Sequence, residues 1–297
     1  VVIVANPRSG SGRGVAQAES VTIFLRAAGV TVDRLDVGPG LPPVDAGGVI
    51  RGADAVAVSG GDGTVLNVAP VSAAAGVPLY HLPAGNENLF SREFGMTREP
   101  AHLLRALQRR KTTWCDVGQC RWRGETTPSP FLLMASIGPD ASVIRRLHAS
   151  RKKASGHSAY IGPVTAELAD PFLPRLRVWC DGNRIIDARG MLVVANCRHY
   201  AFQINPCPDA RTNDGQLDVA FVPADTSIDA LVSLIRFGFR SPGPDTIRAR
   251  GAHVRVEVGG GAGTCLQVDG ELANSPQGGG SLELSTRQGY LPVLDAR

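Results

Sequence analysis

Twice within its first 75 residues the chain passes from a short apolar stretch, through a glycine-rich turn, into a pattern of helical period. The first passage is Val1-Val2-Ile3-Val4-Ala5-Asn6, then Pro7-Arg8-Ser9-Gly10-Ser11-Gly12-Arg13-Gly14, then a helix-like run over residues 15–28 that stops at Gly29. The second is an apolar run at 54–58, then Ser59-Gly60-Gly61-Asp62-Gly63-Thr64, then a helix over 65–75. Short apolar runs suit strands buried on both faces, and strand–turn–helix units in series imply a parallel sheet covered by helices. Further strands at 30–37 and 78–82, and helices near 88–94 and 100–111, extend the pattern. Residues 1–114 therefore read as an α/β domain with a parallel sheet, and both glycine turns lie at its carboxyl edge, where ligands bind in such sheets. Glycines let backbone N–H groups approach a phosphate, and the helix start behind them adds partial positive charge. Asp62 does not suit a bare anion site: a carboxylate beside phosphates needs a cation between them, which implies Mg²⁺.

The character changes near residue 114. From there the segments read as strands at 115–122, 131–137, 176–180, 184–187, 191–196, 217–222, 253–258, 265–268 and 281–285, with helices only near 142–153 and 228–237. Residues 115–287 are expected to form a β-rich sandwich domain, with 288–297 rejoining the first domain. A chain of 297 residues, 43% hydrophobic and 20% charged, has the length and balance for two folded domains. The formal net charge of +4 is too small and dispersed to argue for nucleic acid. No apolar run reaches membrane-spanning length, and the chain enters its first strand at Val1 with no signal-peptide pattern. The six cysteines form no Cys-x-x-Cys pair, and the six histidines show no metal-ligand spacing. The expectation is a reduced, cytoplasmic protein.

Gly60-Gly61-Asp62-Gly63-Thr64 matches neither the Walker nor the dinucleotide fingerprint. It resembles the loop shared by diacylglycerol kinases, sphingosine kinases and NAD kinases. Asn6-Pro7-x-Ser9-Gly10 is similar to the N-terminal motif of the diacylglycerol kinase catalytic domain family, which includes soluble bacterial lipid kinases. Pro83-Ala84-Gly85-Asn86-Glu87-Asn88-Leu89-Phe90-Ser91-Arg92 falls where that family has a further loop. Asn86 stands there in place of the usual threonine, and Leu89 in place of a frequent aspartate. The motifs of the second half follow in family order as far as Glu271.

The resemblance implies an N-terminal nucleotide-binding domain, a C-terminal sandwich and phosphorylation of a lipid hydroxyl by ATP with Mg²⁺. Diacylglycerol or a related lipid at a membrane surface is the expected acceptor. On matching positions it places Asn6, Pro7, Ser9, Gly10, Gly60, Gly61, Asp62, Gly63, Thr64, Gly85, Asn86 and Asn88 at ATP, and Asp62 at the metal. Val268-Asp269-Gly270-Glu271 looks like the family's Asp-Gly-Glu, with Asp269 as the base that accepts the hydroxyl proton and Glu271 as its partner or a metal ligand. Asp-Gly is also the commonest hairpin dipeptide. Asn213-Asp214-Gly215-Gln216 is similar to a family turn that holds a structural Mg²⁺, here through Asp214 and the carbonyls of Arg211 and Gln216; a plain turn remains the other reading. Asp140 is the residue implied at the acceptor headgroup, with a helix cap as the alternative. The basic run Arg145, Arg146, Arg151, Lys152 and Lys153 is either a solvated face or a contact for anionic lipid. A kinase for a soluble acceptor, such as a dinucleotide or sugar, and a non-catalytic nucleotide or lipid sensor remain alternatives, and a homodimer is left open.

Overall fold

The computed structural model describes residues 1–7, 9–37, 46–138, 173–200, 205–226, 229, 245–259, 265–273 and 279–297. The expected helices near 142–153 and 228–237, Asp140, and the basic run at 145–153 lie outside them, apart from Asp229. Two compact units emerge: Val1–Asp116 with Gln288–Arg297, and Val117–Arg287.

The first unit contains β1 (Val2–Ala5), α1 (Arg13–Ala27), β2 (Asp33–Asp36), α2 (Ala46–Ile50), β3 (Val56–Gly60), α3 (Asp62–Ala75), β4 (Leu79–Pro83), α4 (Leu89–Glu93) and α5 (Pro100–Arg109). β1 lies between β2 and β3, β4 lies on β3, and all the pairings are parallel. Every residue of β1 and β3 is buried, which is why both read as unbroken apolar runs rather than alternating ones. The chain leaves β1 toward β2 and then crosses to β3 on the opposite side. The order therefore reverses between β1 and β3, and the two glycine turns open at this switch point.

The second unit is built from β5 (Thr112–Trp122, which starts in the first unit), β6 (Ser129–Phe131), β7 (Met134–Ile137), β8 (Arg175–Cys180), β9 (Asn183–Ala195), β10 (Leu217–Pro223), β11 (Ile247–Gly251), β12 (His253–Val258), β13 (Leu266–Val268), β14 (Glu271–Ala273) and β15 (Gly280–Leu294, which ends in the first unit). One antiparallel layer joins the first half of β9 to β8, β12 and the start of β15. The other joins the second half of β9 to β7 and β10, with β13, β14 and β11 outside them. Leu176, Val178, Val254, Val256, Leu282 and Leu284 pack in one core with Ile137, Val194, Val219, Phe221, Leu266 and Val268. This is a β-sandwich, the architecture the alternating strands imply.

Strand boundaries depart from the sequence pattern in informative places. Residues 131–137 do not form one strand: β6 ends at Phe131 and β7 starts at Met134. The amides of Leu132 and Leu133 turn instead to the carboxylate of Asp269. The segments at 184–187 and 191–196 are a single strand, β9, that bends at Gly190 (φ +156°), where a Cβ would lie 2.1 Å from the Val222 carbonyl oxygen. β11 and the continuation of β15 past residue 285 lie beyond the strands expected from the sequence: β11 is a short alternation in which two arginines take the polar positions, and the polar residues 286–290 interrupt β15 before its buried end.

The last residues complete the first unit. Val293 pairs in parallel with Leu79, and Leu291, Val293 and Leu294 are buried. Lys111 Nζ lies 2.6 Å from Asp295 Oδ2, and His102 Nε2 donates to the Ala296 carbonyl at 3.0 Å. Burial pushes the Asp295 carboxyl up, but the bonds from Lys111 and the Arg297 amide prevail and hold it below the usual carboxylate range. A depressed acid adds stability above its unfolded pKa and loses it as pH falls through the folded value. Asp295→Asn is expected to lower stability at neutral pH by about 1 kcal/mol or less, since Lys111 is exposed. The difference from wild type shrinks on acidification, as denaturant melts at neutral and acidic pH will show.

Candidate active site

Three loops meet at the carboxyl edge of the first unit's sheet, after β1, β3 and β4. Their packing is backbone against backbone. A Cβ on Gly85 would lie 2.8 Å from the Gly61 Cα, and one on Gly14 would lie 2.9 Å from the Asn6 carbonyl oxygen. Thr64 Oγ1 fills the space above Gly60, 2.6 Å from where a Cβ would stand. That hydroxyl accepts from Asn6 Nδ2 at 3.1 Å and lies 3.3 Å from Ser9 Oγ, so residues of the first and second loops share one polar junction. Pro7 and the single 3-10 turn Ser9–Gly12, which includes Gly10, carry the chain from β1 into α1. α3 starts at Asp62 behind Gly61; the Thr64 amide donates to the Gly61 carbonyl at 2.9 Å, while those of Asp62 and Gly63 lie ahead of any intrahelical acceptor.

Asp62 ties the second loop to the third. Its Oδ2 accepts the Leu89 amide and its Oδ1 the Phe90 amide, both at 3.0 Å. Each oxygen keeps one lone pair. Asn88 holds the third loop in shape: its Oδ1 accepts the Gly85 amide and its Nδ2 donates to the Gly85 carbonyl, both at 2.9 Å, with Asn88 itself at φ +50°. Asn86 and Asn88 line a cleft of about 550 Å³ together with Arg13, Gln17 and Ser20 of α1 and with Arg98. Gln17 Nε2 is buried there with no hydrogen-bond partner.

His81 is one of the six histidines without metal-ligand spacing. It is fully buried on β4, and its Nε2 donates to the Gly60 carbonyl at 2.9 Å, beside the Ala84 amide at 2.8 Å. Burial holds His81 below its ordinary pKa, against the charge of Asp62 and the Gly60 carbonyl. The ring is thus the neutral Nε2–H tautomer, fixing the peptide that opens the Gly-Gly-Asp loop. A histidine inside an otherwise apolar strand was the available signal.

In the second unit, Asp269 and Gly270 are the two turn residues between β13 and β14, at φ +49° and +83°. The Asp269 carboxylate is buried and accepts three amides: Leu132 at 2.7 Å on Oδ2, and Leu133 and Met134 at 2.9 Å on Oδ1. Glu271 follows on β14 with an exposed side chain. Asp214 heads the turn before β10. Its Oδ1 accepts the Gln216 amide at 3.1 Å, and its Oδ2 lies 3.8 Å from Arg250 Nη1. Arg211 belongs to the same turn segment. Among the described residues, no group of three or more His, Cys, Asp or Glu side chains is placed to hold a metal.

Comparison with known proteins agrees with this architecture. Residues 1–120 match the diacylglycerol kinase catalytic domain, and residues 134–281 match the YegS C-terminal NAD kinase beta sandwich-like domain. A protein of Mycobacterium tuberculosis named "Diacylglycerol kinase" is 30% identical over 282 residues, covering 92% of this chain and 89% of its own. The chain belongs to the diacylglycerol kinase family. It is a kinase of the lipid-kinase type. A Pseudomonas fluorescens protein named "Probable lipid kinase YegS-like" is 29% identical over 79% of this chain and 75% of its own. A diacylglycerol kinase structure from Bacillus anthracis str. Sterne superposes with TM-score 0.67 at 17% identity, covering 99% of this chain and 96% of that one. Yeast NADH kinase shares the fold more distantly, with TM-score 0.53 and 10% identity over 98% and 81% of the two chains.

The Gly61–Gly85 approach gives a direct test. Gly85→Ala forces two main chains apart and is expected to cost about 1–3 kcal/mol of stability. Gly48→Ala, in α2 with nothing within 4 Å, is expected to be neutral or slightly stabilising. Paired denaturant melts distinguish the two.

Proposed function

We propose that the protein transfers the γ-phosphoryl group of ATP, bound with Mg²⁺, to a hydroxyl of diacylglycerol or a related lipid at a membrane surface. The observation that carries this reading is the three-loop junction: backbone amides and small hydroxyls converge on the switch point of a parallel sheet, with one carboxylate among them. Asn6, Pro7, Ser9, Gly10, Gly60, Gly61, Gly63 and Thr64 form the phosphate cradle, and Gly85, Asn86 and Asn88 its third wall. The residues at Asp62 fit a magnesium ion: Mg²⁺ keeps most of its waters and needs one or two carboxylates beside substrate phosphates, and Asp62 retains a lone pair on each oxygen. When bound, the ion would neutralise phosphate charge. The names carried by the relatives from Mycobacterium tuberculosis and Pseudomonas fluorescens support a lipid acceptor. No helix among the described residues is long and apolar enough to cross a membrane, and the six cysteines are buried with no disulfide among them, which suits a cytoplasmic protein acting peripherally.

The Asp269–Glu271 hairpin supplies the carboxylates for proton acceptance. Asp269 adopts a left-handed backbone that costs energy for a non-glycine residue, and its three amide bonds hold it there. Two of those bonds fall on Oδ1 and one on Oδ2, and the carboxylate they fix is the group that accepts the hydroxyl proton. Glu271, exposed on the next strand, is its partner.

Labelled-ATP transfer over diacylglycerol, monoacylglycerol, sphingoid bases and ceramide in mixed micelles is expected to give a phospholipid product. Transfer to a dinucleotide or sugar without micelles would instead favour the soluble-acceptor reading. ATP binding without transfer to any acceptor would favour a sensor. Asp269→Asn is expected to lower kcat by about 100-fold or more while sparing ATP affinity, and to lower the melting temperature as well. Glu271→Gln is expected to lower kcat without that loss of stability. Undiminished turnover in Asp269→Asn would refute its role as base. Asp62→Ala is expected to weaken nucleotide binding about tenfold or more in Mg²⁺ and far less in chelator, as read by calorimetry.

A further inference from the structure

We propose that Arg250 is the built-in cation of the turn at residues 209–218, taking the place of the structural magnesium ion that family resemblance assigns to Asp214. The inference concerns the second unit alone and does not depend on the transfer reaction.

The turn Asn213-Asp214-Gly215-Gln216 delivers the chain into β10, with Gly215 at φ +72°. Arg250 stands on β11, directly across the ladder from Asp218. Its Nε and Nη2 donate to Asp218 Oδ1 at 3.2 and 2.9 Å, and Nη2 also donates to the Asp209 carbonyl at 2.9 Å. Nη1 lies 3.8 Å from Asp214 Oδ2. One planar guanidinium thus reaches two carboxylates and a main-chain carbonyl, the kind of oxygen set that a hard cation would use.

A dication bound at Asp214, the carboxylate common to both sets of ligands, would sit against a fixed positive charge 3.8 Å from that side chain. The residues present therefore do not fit a structural Mg²⁺ at this turn. The surrounding electrostatics agree. Asp218 Oδ2 is buried with no hydrogen-bond partner, so its negative charge relies on the guanidinium beside it. Burial pushes the Asp218 carboxyl up, and the bonds from Arg250 pull it back. The same bonds push the guanidinium's own pKa up, keeping it charged.

Hydrogen exchange over residues 205–223, measured without nucleotide, tests the proposal independently of any kinase activity. In the wild-type protein, protection of this segment is expected to be the same in millimolar Mg²⁺ and in EDTA. Arg250→Met is expected to speed exchange at 209–218 by about tenfold or more, consistent with loss of a charged hydrogen-bond network. Arg250→Lys, which keeps the charge but loses the fork, is expected to fall between the two and serves where the methionine variant fails to fold. Wild-type protection that rises with Mg²⁺ and collapses on chelation would place a metal at the turn and overturn the proposal. Unchanged exchange in both arginine variants would overturn it as well.

Discussion

The candidate site depends on how closely main chains approach one another at the edge of the parallel sheet. Gly85 stands so near Gly61 that it tolerates no side chain, and Gly14 lies equally close to the end of β1. That proximity lets one carboxylate, Asp62, reach from the start of α3 to the amides of Leu89 and Phe90. It also lets one hydroxyl, Thr64, serve both Asn6 and Ser9. The glycines admit the approach and the short polar side chains fix it. His81 supports the arrangement from below, since its only ring hydrogen bond goes to the Gly60 carbonyl.

A common device recurs in both units: a buried or half-buried aspartate spends its oxygens on backbone amides distant in sequence. Asp62 does so for α4, Asp269 for residues 132–134, and Asp116 for the Gly289 amide at 2.7 Å. Asp62 joins segments that no ladder connects, while Asp269 extends the β13–β7 pairing beyond its last ladder pair. A carboxylate suits this task because it offers several lone pairs to donors that burial would otherwise leave unsatisfied. At Asp62 the same chemistry leaves a lone pair over on each oxygen, so holding the loop does not exhaust the carboxylate.

Much of this was legible in the sequence because local and tertiary demands agree. The apolar runs of β1 and β3 are buried on both faces, so they read correctly as parallel strands. The glycine turns between strand and helix announce where backbones must approach. What stayed hidden was decided by partners far along the chain. Residues 131–137 have every property of one strand, yet Asp269 captures three of their amides and breaks it. The polar stretch at 286–290 hides the middle of β15. Arg250 lies in a basic stretch, Ile247-Arg248-Ala249-Arg250, that looks like a solvated loop until β10 places Asp218 opposite it. The hairpin at Asp269–Gly270 was legible as a turn, but the inward aim of its carboxylate was not.

β9 belongs to both layers of the sandwich, changing allegiance at Gly190, where the Val222 backbone leaves no room for a side chain. One continuous main chain therefore transmits any shear between the layers, and neither can slide or peel away alone. An insertion anywhere along those thirteen residues would throw one layer out of register with its neighbours. Length variation in this half of the protein is thereby confined to loop tips, while the middle of the sandwich behaves as a single mechanical piece.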